Sequence, residues 1–227
     1  MYGQYDRSLG PKLLLTVAHL AAVAGAAWLL VGGGLGWVSA RTPLALIPGE
    51  AVRRWLLAGA AAVYFLRVCV TSFHLIRRRM DWSEAVTIAV WVWIIHPVLA
   101  LLGGSNAAAA GWGVAAGVVL YAAGSFLNTG SEMLRHRWKR DPGHKGRLYT
   151  GGLFAWSMHI NYFGDVVLFT GYALVAGRAW AFAIPAVMAA LFLFVNIPML
   201  DRYLAERYAD QFPAYARRTK KFVPFVY

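Results

Sequence analysis

The sequence predicts an all-α fold: a polytopic membrane helix bundle with about six transmembrane helices and both termini in the cytoplasm. Three observations predict it. Of 227 residues, 59% are hydrophobic and 15% aromatic, with a mean hydropathy of +0.52. A soluble domain of this length does not need so much apolar surface. Several apolar runs reach the roughly 20 residues that cross a bilayer core. The basic residues cluster between those runs.

The first span is predicted over residues 13–31, after Arg7 and Lys12. With "WVSA" ending at Ala40 it has the outline of a signal peptide. The run is long for one and further spans follow, so it reads as an uncleaved helix. The second, 55–76, carries Tyr64 and Arg67. The third, 86–102, carries His96-Pro97, where proline favours a kink. The fourth, 111–127, has Gly113, Gly117 and Gly124, small enough for close helix packing. The fifth, 153–177, is weak, because only its second half is free of polar groups. The sixth, 179–199, contains Pro185, Asn196 and Pro198, which predict an irregular end.

Alternating spans from a cytoplasmic N-terminus put seventeen basic residues inside and four outside, with Arg67 inside the second helix. This is a strong positive-inside bias. It accounts for the 22 basic against 10 acidic residues without nucleic acid. No repeat or linker divides the chain, so residues 1–227 read as one membrane domain. The bacterial inner membrane and the endoplasmic reticulum both fit.

Several chemistries are excluded. A single cysteine, Cys69, permits neither a disulfide framework nor a Cys-x-x-Cys metal site. His136, His144 and His159 have no partners at ligand spacing, so no metal is expected. No Gly-x-Gly-x-x-Gly follows a strand. Ser157, His159 and Asp165 do not make a triad, because no nucleophile elbow or oxyanion site accompanies them.

Two constellations remain. If the fourth helix continues out of the membrane, Asn128, Glu132, Arg135 and Lys139 fall within a stripe about 60° wide at about 100° per residue. Two cations one turn apart suit phosphate, and a snorkelling helix end also fits. If a helix starts near His159, then Asn161, Tyr162 and Asp165 share its next face, with His159 at the edge. Such polar groups face a cavity, a ligand or a partner, or they cap a helix. Asp165 could instead pair with Arg135 or Lys139. Tyr64 and Arg67 share a face of the second helix. A phenol beside a fixed cation is a plausible proton donor, and a structural arginine is the other reading.

The stretches "NTGSEMLRHRWKRDP", "GGLFAWSMHINYFGDVVLFTGYAL" and "RYADQFPAYARRTKKFVPFVY" resemble the C-terminal domain of the steroid 5-alpha-reductase and DUF1295 superfamily. Sterol reductases and isoprenylcysteine carboxyl methyltransferases are its more distant members. The resemblance covers residues 128–227. It implies a helical membrane fold that holds NADPH in a cytoplasm-facing cavity, gripped by Asn128, Glu132, Arg135 and Lys139, by His159, Asn161, Tyr162 and Asp165, and by Asp201 and Tyr208 in the tail. It places Tyr64, helped by Arg67, on a substrate carbonyl.

The implied activity is NADPH-dependent reduction of an activated C=C in a steroid-like or other lipophilic substrate. Two departures accompany it. Met158 stands where sterol reductases have arginine, and "AAWLLVGGG" lacks the substrate-binding glutamate of steroid reductases. A methyltransferase using S-adenosylmethionine and a non-catalytic lipid-binding protein are the competing readings.

Overall fold

The computed structural model describes residues 7–227. Helix is their regular secondary structure, and they form no β-sheet. Among them, five helices are long and apolar enough to cross a membrane: Leu9–Val31, Ala51–Leu75, Trp82–Gly104, Trp112–Trp138 and Ala179–Arg207. A shorter apolar helix spans Ile160–Ala176. The chain is an all-helical, multi-pass membrane protein. Its contacts divide into two compact units.

Unit one comprises the chain up to Val119 and Thr170–Ile184. It contains α1 (Leu9–Val31), α2 (Gly34–Ser39), α3 (Ala51–Val70) and α4 (Trp82–Gly104), with the start of α5 (Trp112–Ser125) and the end of α7 (Ile160–Ala176). The buried positions on α1 include Lys12, Leu15, His19, Ala22, Ala26 and Leu30. Steps of three and four residues place them on one face. Leu13, Val17, Leu20 and Trp28 stay exposed, as expected of a face turned to lipid. Lys12 is buried but satisfied, since its Nζ donates to the Ile76 carbonyl at 2.9 Å. Glu50 caps α3 by accepting from the amides of Val52 and Arg53 at 3.0 and 2.7 Å. The Arg53 side chain donates to the carbonyls of Val175 and Ala108 at 2.5 and 3.0 Å. Asn106 donates to those of Ala176 and Gly177. Together they satisfy helix-end carbonyls that would otherwise be orphaned.

Unit two comprises Leu120–Phe169 and Pro185–Tyr227. Here α5 passes through a π-helical turn, Phe126–Gly130, into α6 (Ser131–Trp138). The start of α7 follows. Then α8 (Ala183–Leu191) runs through a second π-helical turn, Phe192–Asn196, into α9 (Ile197–Arg207), and α10 (Phe212–Arg218) ends the helical part. Each such turn inserts one residue into the helical register, a device common at functional sites.

Three sequence expectations change. The fifth segment is helical only from Ile160, because Gly152, with φ of +55°, opens a 3₁₀ turn and residues 157–159 bond to the tail instead of to a helix. The sixth does not end near residue 199 but continues to Arg207, its irregularity absorbed by the π-helical turn. Gly113 has open space where a side chain would go, so it plays no part in close packing. Gly124 does: a methyl there would collide with the Leu168 amide and lie 2.5 Å from the Gly164 carbonyl oxygen. Overpacking of this kind costs typically 1–3 kcal/mol, and more where backbone must move. In a detergent-solubilised melting series, Gly124→Ala should therefore lower the midpoint clearly while Gly113→Ala leaves it in place.

Candidate functional site

The predicted stripe is present in unit two. The π-helical turn and α6 carry Asn128, Glu132 and Arg135, with Lys139 at the C-terminal end of α6. Arg135 is ion-paired with Glu132, and its guanidinium lies 5.5 Å over the Phe154 ring. The other oxygen of Glu132 accepts from Asn161 Nδ2 at 3.0 Å. Asn128 Nδ2 donates to the Asn161 carbonyl at 3.0 Å. One residue of α7 is thus tied to two positions of the stripe. Close approach at Gly164, where a methyl would lie 2.5 Å from the Asn128 amide, lets the two helices come near enough.

Lys139 meets the tail. Its Nζ stands 3.3 Å from the Tyr208 hydroxyl. Burial pushes that phenol up, but Lys139 and Arg207 outweigh it and hold the group below the ordinary tyrosine range. The two neighbouring cations thus favour loss of the Tyr208 proton relative to an ordinary tyrosine.

His159 is the third anchor. It is fully buried, and its Nε2 lies 2.8 Å from Asp201 Oδ1. Lys221 stands 3.7 Å from the other oxygen of that carboxylate. Its Nδ1 is buried with no hydrogen-bond partner. The ring stacks on Tyr162 with centroids 5.8 Å apart and planes at 6°. Tyr162 in turn stacks on Phe192 at 4.6 Å and 11°. Asp165 lies one turn farther along α7.

The segment before α7 is held by the C-terminal tail. The amides of Met158 and His159 donate to the carbonyls of Lys220 and Lys221 at 2.8 and 3.1 Å. Ser157 Oγ donates to the carbonyls of Lys221 and Phe222. That hydroxyl is committed to the tail and the His159 Nε2 to Asp201, which is why no triad forms. Met158 is 6% exposed, so its apolar side chain belongs to the core and needs no phosphate. Tyr215 donates to the Phe154 carbonyl at 2.6 Å, and burial raises its phenol above the ordinary range.

The structure thus gathers ten sequence-predicted positions, Asn128, Glu132, Arg135, Lys139, His159, Asn161, Tyr162, Asp165, Asp201 and Tyr208, in unit two. Sequence reasoning weighed Ser157 only as a triad member, and it missed Phe192 and Lys221. The tail's alternation of basic and aromatic residues gave no hint that its carbonyls were the bonding groups.

Tyr64 and Arg67 lie on α3 in unit one, with the guanidinium 5.7 Å over the phenol ring, so they do share a face. Tyr64 also packs edge-on against His19 and is tilted against His96, at 5.3 and 5.9 Å. These two histidines were missed as well. A histidine inside an apolar span is itself a signal.

The donors present fit a phosphorylated nucleotide. Two cations one turn apart supply charge-assisted hydrogen bonds. Glu132 and Asn161 offer acceptors and donors for hydroxyls, and the unpartnered His159 Nδ1 is a further buried polar atom.

The family model described as "Protein of unknown function (DUF1295)" matches residues 84–219. The chain is similar to 3-oxo-5-alpha-steroid 4-dehydrogenase 1 of Bos taurus, 33% identical over 114 residues, 48% of this chain and 41% of the relative. The Mus musculus protein of the same name is 31% identical over 111 residues, with the same shares. A probable O-methyltransferase, ustE, of Ustilaginoidea virens is 32% identical over 96 residues, 41% of this chain and 34% of the relative. The matched stretch spans well under half of each of these relatives. The family match, by contrast, covers more than half of this chain, which belongs to the DUF1295 family.

Proposed function

We propose that the chain is an NADPH-dependent reductase of an activated C=C in a steroid-like or other lipophilic substrate. The observation that carries this reading is the pair Arg135 and Lys139, one turn apart and linked through Glu132, Asn161 and Tyr208 to α7 and the tail. NADPH supplies the hydride, which is the hard part of the chemistry. Arg135 and Lys139 bind its phosphates. Glu132 and Asn161 take ribose hydroxyls, with Asn128 fixing the start of α7 against the stripe. The flat stack of Tyr162 on His159 offers an apolar wall, and Asp201 fixes the His159 ring. Asp165 lines the same helix. Tyr64, with Arg67 beside it, donates a hydrogen bond to the substrate oxygen and favours charge building there during reduction.

The similarity to steroid dehydrogenases supports a reductase. The similarity to a probable O-methyltransferase supports the second reading, a methyltransferase using S-adenosylmethionine. That cofactor has no phosphate, so it leaves Arg135 and Lys139 without an anion to bind. Calorimetric titration of the purified protein separates the two. NADPH should bind more tightly than NADH, and S-adenosylmethionine should give no saturable heat. Saturable binding of S-adenosylmethionine with none of NADPH would reverse the assignment.

A further inference from the structure

Two imidazoles lie inside the membrane-spanning helices of unit one, His19 on α1 and His96 on α4. Both are 0% exposed. Their Nε2 atoms are 2.9 Å apart, and their rings stack with centroids 5.0 Å apart and planes at 26°. Tyr64 packs against both rings. Tyr172 stands edge-on to His96 at 6.5 Å, with its hydroxyl committed to the Leu57 carbonyl at 2.9 Å.

This geometry fixes the chemistry of the neutral pair. One Nε2–H donates and the other Nε2 accepts, so the two rings are opposite tautomers. The donating ring has a bare Nδ1, and the accepting ring has an Nδ1–H. Neither Nδ1 has a hydrogen-bond partner. Buried polar groups are nearly always satisfied, so two unpartnered Nδ1 atoms point to a partner that the helices themselves do not supply.

The heavy atoms are the same for both tautomer arrangements, so either ring can present the donor. A metal does not fit. The space between the Nε2 atoms is filled by their own hydrogen bond, and the described residues hold no cluster of three or more ligating side chains. An ionic ligand would carry a heavy desolvation cost among these apolar helices. A neutral carbonyl costs far less to desolvate, and its oxygen can accept from an N–H beside a phenol.

We propose that His19 and His96, with Tyr64, form the receptor for the carbonyl oxygen of a neutral lipophilic enone, one imidazole Nδ1–H donating to it. The proposal rests on the reductase reading, and its test keeps the two apart. Protein labelled with ¹⁵N-histidine in lipid nanodiscs is titrated with androst-4-ene-3,17-dione and, separately, with a linear C12 enone. NADPH affinity is measured on the same samples. The Nδ1–H resonance of one of the two histidines should shift on saturation with at least one ketone. His96→Phe should weaken that ketone by at least tenfold while NADPH affinity stays within twofold. His96→Asn, which keeps an amide near the Nδ1 position, should recover part of the loss.

Wild-type protein that binds NADPH but shows no Nδ1 shift with either ketone would overturn the receptor and leave the cofactor site standing. A ketone-induced shift in protein that does not bind NADPH would support the receptor and sink the reductase reading. If the variants fail to fold, the wild-type titration still decides.

Discussion

Replacing Arg135 and Lys139 together by glutamine should weaken NADPH binding by roughly 30-fold or more, while the protein still folds. A hydrogen bond to a charged group contributes about 1.5–3 kcal/mol when well shielded. Both side chains are partly open to water, with 41% of the Arg135 side chain exposed. Solvent screening reduces each contribution to about 1 kcal/mol, and each 1.4 kcal/mol is tenfold in affinity. Two such losses give the stated effect. The wild-type protein should lose affinity as salt rises, since its contacts are exposed charge pairs. The double variant should show a flatter salt dependence. A double variant that binds NADPH as the wild type does would remove the stripe from the site.

Removing the tail from Lys220 onward should abolish nucleotide binding and lower the melting midpoint by several degrees or more. The tail's contribution comes through backbone. Carbonyls of Lys220 and Lys221 accept from the amides of Met158 and His159, and the Lys221 and Phe222 carbonyls accept from Ser157 Oγ. Phe222 is buried and meets Phe163 edge-on at 5.8 Å. Each buried group stripped of its partner costs about 1–3 kcal/mol, against a total stability of about 5–15 kcal/mol for a typical domain. Without the tail, the segment that aims His159 at Asp201 is unsupported. The side chain of Lys220 takes no part in these bonds, so Lys220→Ala should leave binding and melting unchanged. Truncated protein that binds NADPH at wild-type affinity would show that the tail is only packing.

The parts of this site that were legible in the sequence are those governed by helical periodicity and charge. Asn128, Glu132, Arg135 and Lys139 could be placed on one stripe because α5 runs on into α6. Asn161, Tyr162 and Asp165 could be placed together once a helix began near residue 160. The bond between His159 and Asp201 joins residues 42 apart, and that between His19 and His96 joins residues 77 apart. No local pattern encodes such pairings. The weak start of the fifth segment had a physical cause that composition could not display: its amides are satisfied by the tail, not by a helix. Gly113 and Gly124 look alike in the sequence, and only the neighbouring helix distinguishes them.

The proposed reductase function requires the stripe on α6 to hold a phosphorylated dinucleotide. Native mass spectrometry of the protein, released from membranes in mild detergent and supplied with an equimolar mixture of NADPH and S-adenosylmethionine, tests it most directly. One NADPH should be retained per chain and lost in the Arg135/Lys139 double variant. Retention of S-adenosylmethionine in its place, or of neither molecule, would contradict it.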